Sequence, residues 1–364
     1  MYFGPPGNTL VIVVSPPPDR PGLPARRVTI ADIARAAGVS IAVVSYAVNG
    51  RPGVSAATRE RVLRIAEEYR WQPSAAARSM HTGPRAVGLV VSTAAGGVSS
   101  ASSFLDLVTA IQDVFGKHGY ALLLKVVESV DAAVATYRTW WAERRFDVMI
   151  VTDVLSQDPR VEALRALRAP AVVVGAPAAA QGLTSVHLDD AEAFGRVASY
   201  LIGLGHRDVA VVTGQPELHR TQVRVAALAR MLKDAGGSLL RMTTDAGPEE
   251  AAAATRQLLT SPVPPSVIVY DSDQMALAAL DVARRLGVEV PWDLSILAAS
   301  DSALCRLSTP ALTALPSPLR ELGTAVGDAV LAVLNGQSAT SHVVPVGGLA
   351  IRGSTGPLAR RTKQ

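Results

Sequence analysis

Apolar residues recur along the chain with two different periods, and the change falls near residue 86. Between residues 28 and 71 they recur every three or four positions, which predicts three short amphipathic helices. From residue 86 onward, short and fully apolar runs alternate with amphipathic stretches of ten to twenty residues. Such runs are typical of parallel strands covered by helices on both faces. The pattern therefore predicts a small helical head followed by a larger α/β core.

The predicted head has the spacing of a helix-turn-helix. Thr29 is placed to cap a first helix in a capping box with Asp32, and Gly38 is placed to end that helix. Ser40 and Ser55 precede the second and third helices. Gly38 also allows the tight turn between the first two helices that a helix-turn-helix needs. An ordinary three-helix bundle has the same pattern, so the pattern alone leaves both interpretations open.

The second helix is predicted to span residues 41–48 and to turn four residues outward: Ile41, Ala42, Ser45 and Tyr46. Charge then distinguishes the two interpretations. Between residues 26 and 85 there are ten Arg and four acidic residues, a net charge of +6, whereas the residues after 85 sum to −2. A basic unit joined to a mildly acidic body is typical of a module that binds a polyanion, and this favours DNA.

Eight apolar runs of the core are predicted to be strands, at residues 87–91, 121–127, 147–151, 171–174, 209–213, 239–243, 267–270 and 296–299. Eight strands and further ones near the terminus exceed a comfortable single sheet. Two lobes with a cleft between them are therefore expected. The predicted fold class is α/β, with a small all-α helix-turn-helix head and a two-lobed core of parallel sheets covered by helices.

Composition sets the expected domain bounds. Apolar residues make up 49% of the chain and charged residues 18%, which argues against general disorder. Only the first 25 residues, rich in Pro and Gly, are expected to be disordered, or else to precede the true start of translation. The expected domains are a disordered extension at 1–25, a helix-turn-helix domain at 26–73, a hinge helix and linker at 74–85, a core at 86–357 and a tail at 358–364.

Several function classes lack their sequence signatures. One cysteine, Cys305, allows no disulfide within the chain, which fits a reducing cytoplasm. No run approaches the ~20 apolar residues that span a bilayer. Dinucleotide, P-loop and nucleophile-elbow motifs are missing, and the six His lack metal-ligand spacing. We therefore expect no enzyme activity, no cofactor, no metal and no membrane partner.

Residues 28–83 resemble the DNA-binding head of the lactose/galactose repressor family. The resemblance rests on T-I-x-D-I-A-x-x-A-G-V-S, on N-G after the second helix and on P-x-A-A-A-R-S. It implies that Ile41, Ala42 and Tyr46 face bases and that Thr29, Ser40, Ser45 and Asn49 hold phosphates. It further implies a hinge helix over 74–80 that enters the minor groove, with DNA contacts from Ser74, Ala77, Arg78 and Met80.

Three positions of this head depart from the family pattern. Tyr46 stands where the family often has Arg, so a bidentate contact with guanine is lost. Ser74 stands where the hinge often has Asn, and Met80 stands where an apolar wedge is usually Leu. These departures leave the operator sequence open.

From residue 86 to residue 357 the chain resembles the effector-binding core of the same family, which is similar to periplasmic sugar-binding proteins. The landmarks are V-G-L-V-V, L-G-H-R, D-x-M-A-L, L-x-E-L-G and R-G-S-T-G-P, in that order. Candidate effector-binding residues at the carboxyl ends of strands are Phe104, Asp190, Arg224, Ser272, Asp273, Ser300 and Asp301. Arg224 matches the family's effector-contacting Arg, and we expect Asp273 and Asp301 close to it. Helix N-capping is the alternative role for Asp190 and Asp273.

Four departures weaken the sugar interpretation of the core. Ser272 and Ser300 stand where the family has Asn and often Asp, and Leu228 and Ala299 stand where aromatic residues are frequent. The effector is thus a sugar, another metabolite, or absent.

These patterns together predict a homodimeric repressor that binds a palindromic operator in double-stranded DNA and responds to a small effector. The alternatives are a solute-binding protein and a regulator with a degenerate pocket that needs no effector. A solute-binding protein shares the core but requires a signal peptide and lacks a basic head.

Overall fold

The computed structural model describes residues 28–48, 50–71, 85–93, 101–245 and 247–358, with side chains of the first core helix from residue 104 onward. Several predictions lie outside the described residues: the extension at 1–25, the hinge helix, and the DNA contacts of Asn49, Ser74, Ala77, Arg78 and Met80. The chain divides into two compact units, at residues 1–78 and 79–364. Each unit is described by itself below.

The first unit contains three helices, α1 (Ile30–Ala37), α2 (Ile41–Val48) and α3 (Ala56–Glu68). Their apolar faces meet in one core, where Ile33, Val44 and Val62 are fully buried. The predicted capping interaction of α1 is confirmed, because the Asp32 carboxylate accepts a 2.9 Å hydrogen bond from the Thr29 backbone N–H. The three predicted helices are thus present and pack against one another.

The turn between α1 and α2 depends on a left-handed residue. Gly38 has φ of +65° and ψ of +35°, a conformation that a residue with a Cβ rarely adopts. Ser40 then caps α2, and its Oγ accepts a hydrogen bond from the Val43 N–H at 3.3 Å. Within the described residues no single helix is long and apolar enough to cross a membrane; α1 and α2 satisfy that length and composition only as a pair bent by 100°.

The second unit contains two parallel sheets. The first lobe has six strands in the order β11-β5-β4-β3-β1-β2 and the second has five in the order β10-β9-β8-β6-β7. The strands are β1 (Ala86–Ser92), β2 (Ala121–Val127), β3 (Val148–Val151), β4 (Ala171–Val174), β5 (Thr184–Leu188), β6 (Asp208–Thr213), β7 (Ser238–Thr243), β8 (Val267–Tyr270), β9 (Ser295–Ala298), β10 (Thr313–Ala314) and β11 (Ser341–Val344). All eight predicted strands are present, within one residue of their predicted starts and ends.

Helices cover both faces of each sheet, as the uniformly apolar strands predict. The helices of the first lobe are α4 (Ala101–His118), α5 (Val130–Ala142), α6 (Pro159–Ala166), α7 (Pro177–Ala180) and α13 (Leu319–Leu334). The helices of the second lobe are α8 (Asp190–Gly203), α9 (His219–Asp234), α10 (Pro248–Leu259), α11 (Asp273–Arg285) and α12 (Ala303–Leu307). The α/β fold class with a helical head and a two-lobed core is confirmed.

The chain passes between the lobes three times: from β5 to α8, from β10 to α13, and after β11. The last passage ends where Ala350 pairs with Ala314 beside the second sheet. Because all the strands are parallel, the carboxyl ends of the central strands of each sheet share one edge. The fold thus brings residues that follow β3, β4 and β5 towards the start of α9.

Two glycines allow α4 and α13 to pack closely. A methyl group added at Gly323 would lie 2.6 Å from the Cβ of Ala110 and 2.8 Å from the carbonyl oxygen of Leu107. One added at Gly327 would lie 2.7 Å from the Cβ of Val114. A side chain at either position would therefore collide with α4.

A buried histidine fastens the C-terminal segment to the second lobe. His206 is 2% exposed, and its Nε2–H donates to the carbonyl oxygen of Gly356 at 3.0 Å. Its Nδ1 lies 2.8 Å from the Ser266 hydroxyl. Burial lowers the pKa of His206, although the hydrogen bond to Gly356 partly opposes this. The imidazole is therefore neutral at pH 7.

Candidate functional sites

The outward face of α2 carries the predicted base-contacting residues. Ile41 is 52% exposed and Tyr46 is 42% exposed, and Ala42 is also exposed. Ser45 is half-buried. Large apolar side chains are normally buried in so small a core, so their exposure marks a surface available to a partner.

Two of the predicted phosphate-binding hydroxyls already bond within the head. The Thr29 hydroxyl donates to the Asp32 carboxylate at 2.6 Å, and the Ser40 hydroxyl caps α2. The Ser40 oxygen is the acceptor in its capping bond, so its O–H remains to donate to a phosphate. These bonds also fix the first turns of α1 and α2, from which backbone N–H groups point outward.

The second unit contains a cavity of about 260 Å³ between the two lobes. The first lobe contributes residues that follow β3, β4 and β5, and the second lobe contributes the first turns of α9. The start of α13 completes the wall. The charged and imidazole side chains that line it are Asp153, His187, Asp189, Asp190, His219, Arg220 and Arg224, and Phe104 is among the apolar ones.

Arg224 is the buried cation of this cavity. It is 7% exposed, its Nε donates to Asp190 at 2.6 Å, and its Nη1 donates to Asp271 at 3.2 Å. Its guanidinium also lies over the ring of Phe194, with Cζ 5.2 Å from the centroid. Burial alone lowers the pKa of Arg224, but the two carboxylates outweigh it and raise the pKa. Arg224 is therefore a permanent cation held between two anions.

The expected neighbours of Arg224 are corrected by the structure. Its carboxylate partners are Asp190 and Asp271, and not Asp273 and Asp301. Asp301 instead accepts two hydrogen bonds from Arg352, at 2.9 and 2.8 Å. A bidentate guanidinium pair satisfies a carboxylate more completely than a single contact, which accounts for this arrangement.

Four of the seven predicted effector-binding residues do not line the cavity. Phe104, Asp190 and Arg224 line it, whereas Ser272, Asp273, Ser300 and Asp301 are not among its lining residues. The backbone N–H of Asp273 donates to the Ser300 hydroxyl at 2.9 Å. Asp273 and Asp301 line a more open groove that adjoins the cavity and shares Ser317 and Leu319 with it. The structure thus brings together three of the seven predicted residues.

The helix-capping role considered for Asp190 and Asp273 is filled in each case by the residue before it. Asp189, rather than Asp190, caps α8 by accepting from the Glu192 N–H at 3.0 Å. Ser272, rather than Asp273, caps α11 by accepting from the Met275 N–H at 3.3 Å.

Two positions expected to shape the cavity point elsewhere. Leu228 is fully buried and Ala299 is 1% exposed, and both belong to the apolar core of the second lobe. The small side chain at position 299 therefore does not enlarge the cavity.

A buried ion pair supports the cavity wall formed after β3. Arg160 and Asp158 are 1% exposed, and they form two short contacts, at 3.0 and 2.7 Å. Arg160 also donates to the carbonyl oxygen of Asp153 at 2.8 Å, and Asp158 accepts from the Leu155 N–H at 2.9 Å. Asp153 has φ of +49°, so the pair holds the wall in a conformation that non-glycine residues rarely adopt. In the sequence, Asp158 followed by Pro159 indicates only the N-cap and first residue of α6, and it gives no sign of the buried ion pair.

The same segment connects the two lobes. The backbone N–H of His219 donates to the carbonyl oxygen of Val154 at 2.9 Å, and the Ser156 hydroxyl donates to Gln222 at 2.5 Å. Arg220 lies 3.7 Å from the Asp153 carboxylate. Movement of one lobe against the other would break these contacts, so the cleft wall is sensitive to lobe position.

His187 adds an unpaired nitrogen to the cavity. Its Nδ1 is buried and has no hydrogen-bond partner among the described residues. Desolvation lowers its pKa, although Asp189 and Asp190 partly oppose this. A neutral imidazole there offers a ligand one donor or one acceptor.

Models of known protein families match the sequence of both units. The model for bacterial regulatory proteins of the lacI family matches residues 29–74, and that for a periplasmic binding protein-like domain matches residues 198–355. The chain is 30% identical to the HTH-type transcriptional repressor PurR of Erwinia tasmaniensis over 326 residues, 87% of this chain and 94% of that protein. It is also 30% identical to the HTH-type transcriptional regulator AglR of Rhizobium meliloti, over 92% of this chain and 96% of that one.

Structural comparisons give the same result. The crystal structure of the lac repressor dimer bound to operator and the anti-inducer ONPF matches with a TM-score of 0.80 and 25% identity, over 92% of this chain and all of that one. A LacI family transcriptional regulator from Bifidobacterium animalis matches with a TM-score of 0.70 and 30% identity, over 76% of this chain and 99% of that one. The chain belongs to the lacI family of bacterial regulatory proteins, and it is a transcriptional regulator with a helix-turn-helix head and a periplasmic-binding-protein-like effector core.

Proposed function

We propose that the chain represses transcription as a homodimer on a palindromic operator, and that a small metabolite in the cavity changes its operator affinity. The chain acts by binding and catalyses no reaction. The observation that carries this proposal is the exposed face of α2, where Ile41 and Tyr46 lie on the outside of the second helix of a helix-turn-helix.

The DNA contacts follow from that face. Ile41, Ala42 and Tyr46 meet base edges in the major groove, where an α-helix fits and each base pair has its own donor and acceptor pattern. Thr29, Ser40 and Ser45 lie close to phosphates at the helix ends. The Arg excess of residues 26–85 supplies the electrostatic affinity.

DNA binding is tested by selecting sites from a randomised duplex library with the full chain. We expect a palindrome with two half-sites one helical turn or a multiple of it apart. Ala42→Glu puts a carboxylate on the DNA-facing side of α2 and should weaken operator binding by more than about 100-fold, because like charges across an interface cost several kcal/mol. Leu63→Glu is the matched control, since Leu63 is 45% exposed on α3 and should tolerate the charge. Equal effects of the two variants would contradict the proposed face.

Dimerisation is supported by the two edge strands β2 and β7. Leu124 and Val126 on β2 are 44% and 56% exposed, and Leu240 on β7 is 53% exposed. An edge strand with exposed apolar residues is a surface that proteins usually cover. We assign a second copy of the chain as the cover, because a palindrome requires two heads.

The dimer is tested by sedimentation equilibrium. Leu124→Lys and Leu240→Lys together should shift the chain to a monomer and weaken binding to the full palindrome more than binding to a single half-site. A chain that stays dimeric with both changes would place the interface elsewhere.

The charges of the cavity indicate the class of effector. Asp153, Asp189 and Asp190 line it together with Arg220 and Arg224. The lining therefore carries one net negative charge. A ligand that carries a carboxylate or phosphate would face this net negative charge, and the guanidinium of Arg224 is already paired with two carboxylates. The buried Nε of Arg220, which has no hydrogen-bond partner among the described residues, remains able to donate to a neutral polar ligand. We infer a compact, uncharged or cationic polar metabolite, of which a single sugar ring is one example.

The effector class is tested by thermal shift. At a concentration of 100 times Kd, a ligand adds roughly 2.7 kcal/mol to stability and raises Tm measurably. We expect hits among neutral and amine-bearing metabolites and none among their phosphorylated or carboxylated analogues. A tightly bound anionic effector would contradict the inferred charge of the site.

A further inference from the structure

The turn that follows α2 places a guanidinium over the exposed ring of Tyr46. The Cζ atom of Arg51 lies 6.0 Å from the centroid of that ring. This distance is the outer limit of a cation–π contact between a guanidinium and an aromatic face. The ring is 42% exposed, so this pair of residues stands on the DNA-facing side of α2 and outside the core of the head.

Backbone contacts fix Arg51 in this position. Its N–H donates to the carbonyl oxygen of Tyr46 at 3.0 Å, and its carbonyl oxygen accepts from the Nη2 of Arg59 at 2.6 Å. Gly53 has φ of +104°, and a Cβ built there would lie 3.7 Å from the Tyr46 ring. The turn therefore follows the edge of the ring, and the position of Arg51 is set by these hydrogen bonds as well as by its contact with the ring.

The guanidinium of Arg51 retains its donors. Within the described part of the head, the ion pairs join Arg35 to Asp32 and Arg64 to Glu68, and none of them includes Arg51. A guanidinium presents pairs of parallel N–H donors at its edges, and two parallel donors are what the O6 and N7 atoms of guanine accept.

We propose that Arg51, positioned by the ring of Tyr46, reads a guanine in each half-site of the operator. This inference rests on the proposed DNA-binding function. Position 46 has lost the Arg that the family often has there, and the structure places another guanidinium on the same face of the head, five residues later in the chain. In this proposal Arg51 contacts the base in place of an Arg at position 46, and the ring of Tyr46 orients the N–H donors of Arg51.

The test is site selection from a randomised duplex library with the full chain and four variants, followed by affinity measurements on the selected operator. In Arg51→Ala, the preference for one G·C pair per half-site should fall by about 5- to 150-fold, while the preferences at other positions stay unchanged. Arg51→Lys should lose the same preference, because Lys keeps the charge but not the two parallel donors. Tyr46→Phe keeps the ring and should retain the preference, whereas Tyr46→Leu should lose it.

A matched control comes from Arg61, an exposed Arg on α3. Arg61→Ala removes the same charge and should change no base preference. If Arg51→Ala instead weakens all sequences equally and lowers the salt slope of binding by about one, Arg51 contacts a phosphate and the proposal is wrong. An unchanged preference in Arg51→Ala overturns it as well. A parent chain that enriches no sequence refutes the proposed DNA-binding function itself, and that outcome is separate from the loss of one base preference.

Discussion

Arg224 allows the sharpest test of the effector cavity, because its replacement by Met removes a cation and nearly preserves side-chain length. The change leaves the carboxylates of Asp190 and Asp271 without their shared partner. These two side chains are 14% and 16% exposed, so little water can replace the guanidinium. We expect Arg224→Met to fold with reduced stability and to lose its response to effector.

The magnitude follows from the burial of the group. Removing one partner of a buried ion pair costs about 3–5 kcal/mol, and the residual exposure of the two carboxylates favours the lower end, about 3 kcal/mol. For a core of this size that loss lowers Tm by roughly 5 °C. Arg224→Lys keeps the charge but cannot donate to both carboxylates with the geometry of a guanidinium. Its Tm should therefore lie between those of the parent chain and Arg224→Met.

The assay combines calorimetry with operator binding, measured with and without a metabolite found by thermal shift. A triple variant, Arg224→Met with Asp190→Asn and Asp271→Asn, removes the uncompensated charge. It should recover most of the lost Tm without recovering the response. Operator affinity without effector should stay within about threefold of the parent in all variants, because the three substituted residues belong to the second unit and none of them lies on the DNA-facing side of α2. If Arg224→Met keeps both its Tm and its response, the two ion pairs do not carry the role assigned to them.

Three further predictions concern the scaffold. Burial lowers the pKa of His206 in the folded core, so the free energy of unfolding should decrease as pH drops below about 6.5, the pKa of His in the unfolded chain. His206→Gln should remove this pH-dependent part of the unfolding free energy. Gly323→Ala should cost about 1–3 kcal/mol by overpacking against α4, whereas Gly195→Ala, in α8 with open space around it, should be neutral or stabilising in denaturant titrations. Arg160→Met should lower Tm more than Arg160→Met combined with Asp158→Asn, because the double variant leaves no buried carboxylate unpaired; equal losses would contradict this.

The elements of both units could be predicted from sequence because each is specified locally. The period of apolar residues and the residues at the turns identified α2 to the residue and β6 to within one residue. Three strands, β5, β10 and β11, were not predicted as apolar runs. β10 has two residues and β11 is mostly exposed, so neither forms the apolar run that marks a buried strand, and the sequence of β5 is interrupted by Thr, Ser and His.

The partners of the site residues could not be predicted in the same way. Arg224 is 34 residues from Asp190 and 47 residues from Asp271 in the chain, and several carboxylates follow strands of the second lobe. Position at a strand end therefore identified candidates but could not choose among them. The choice depends on which carboxylate already has a guanidinium, as Asp301 has in Arg352.

On the DNA-facing side of α2, the contacts of a residue are equally hard to predict from its position, even between residues close in the chain. A comparison by position finds Tyr where an Arg is common, and it concludes that a guanine contact is lost. Distance in space gives a different result, because a left-handed turn returns the chain to the ring and places Arg51 above it. The chemical group that DNA would meet is thus set by the pair and not by either residue alone. It follows that substitutions at Tyr46 and Arg51 should be non-additive in base preference, since each removes the same contact.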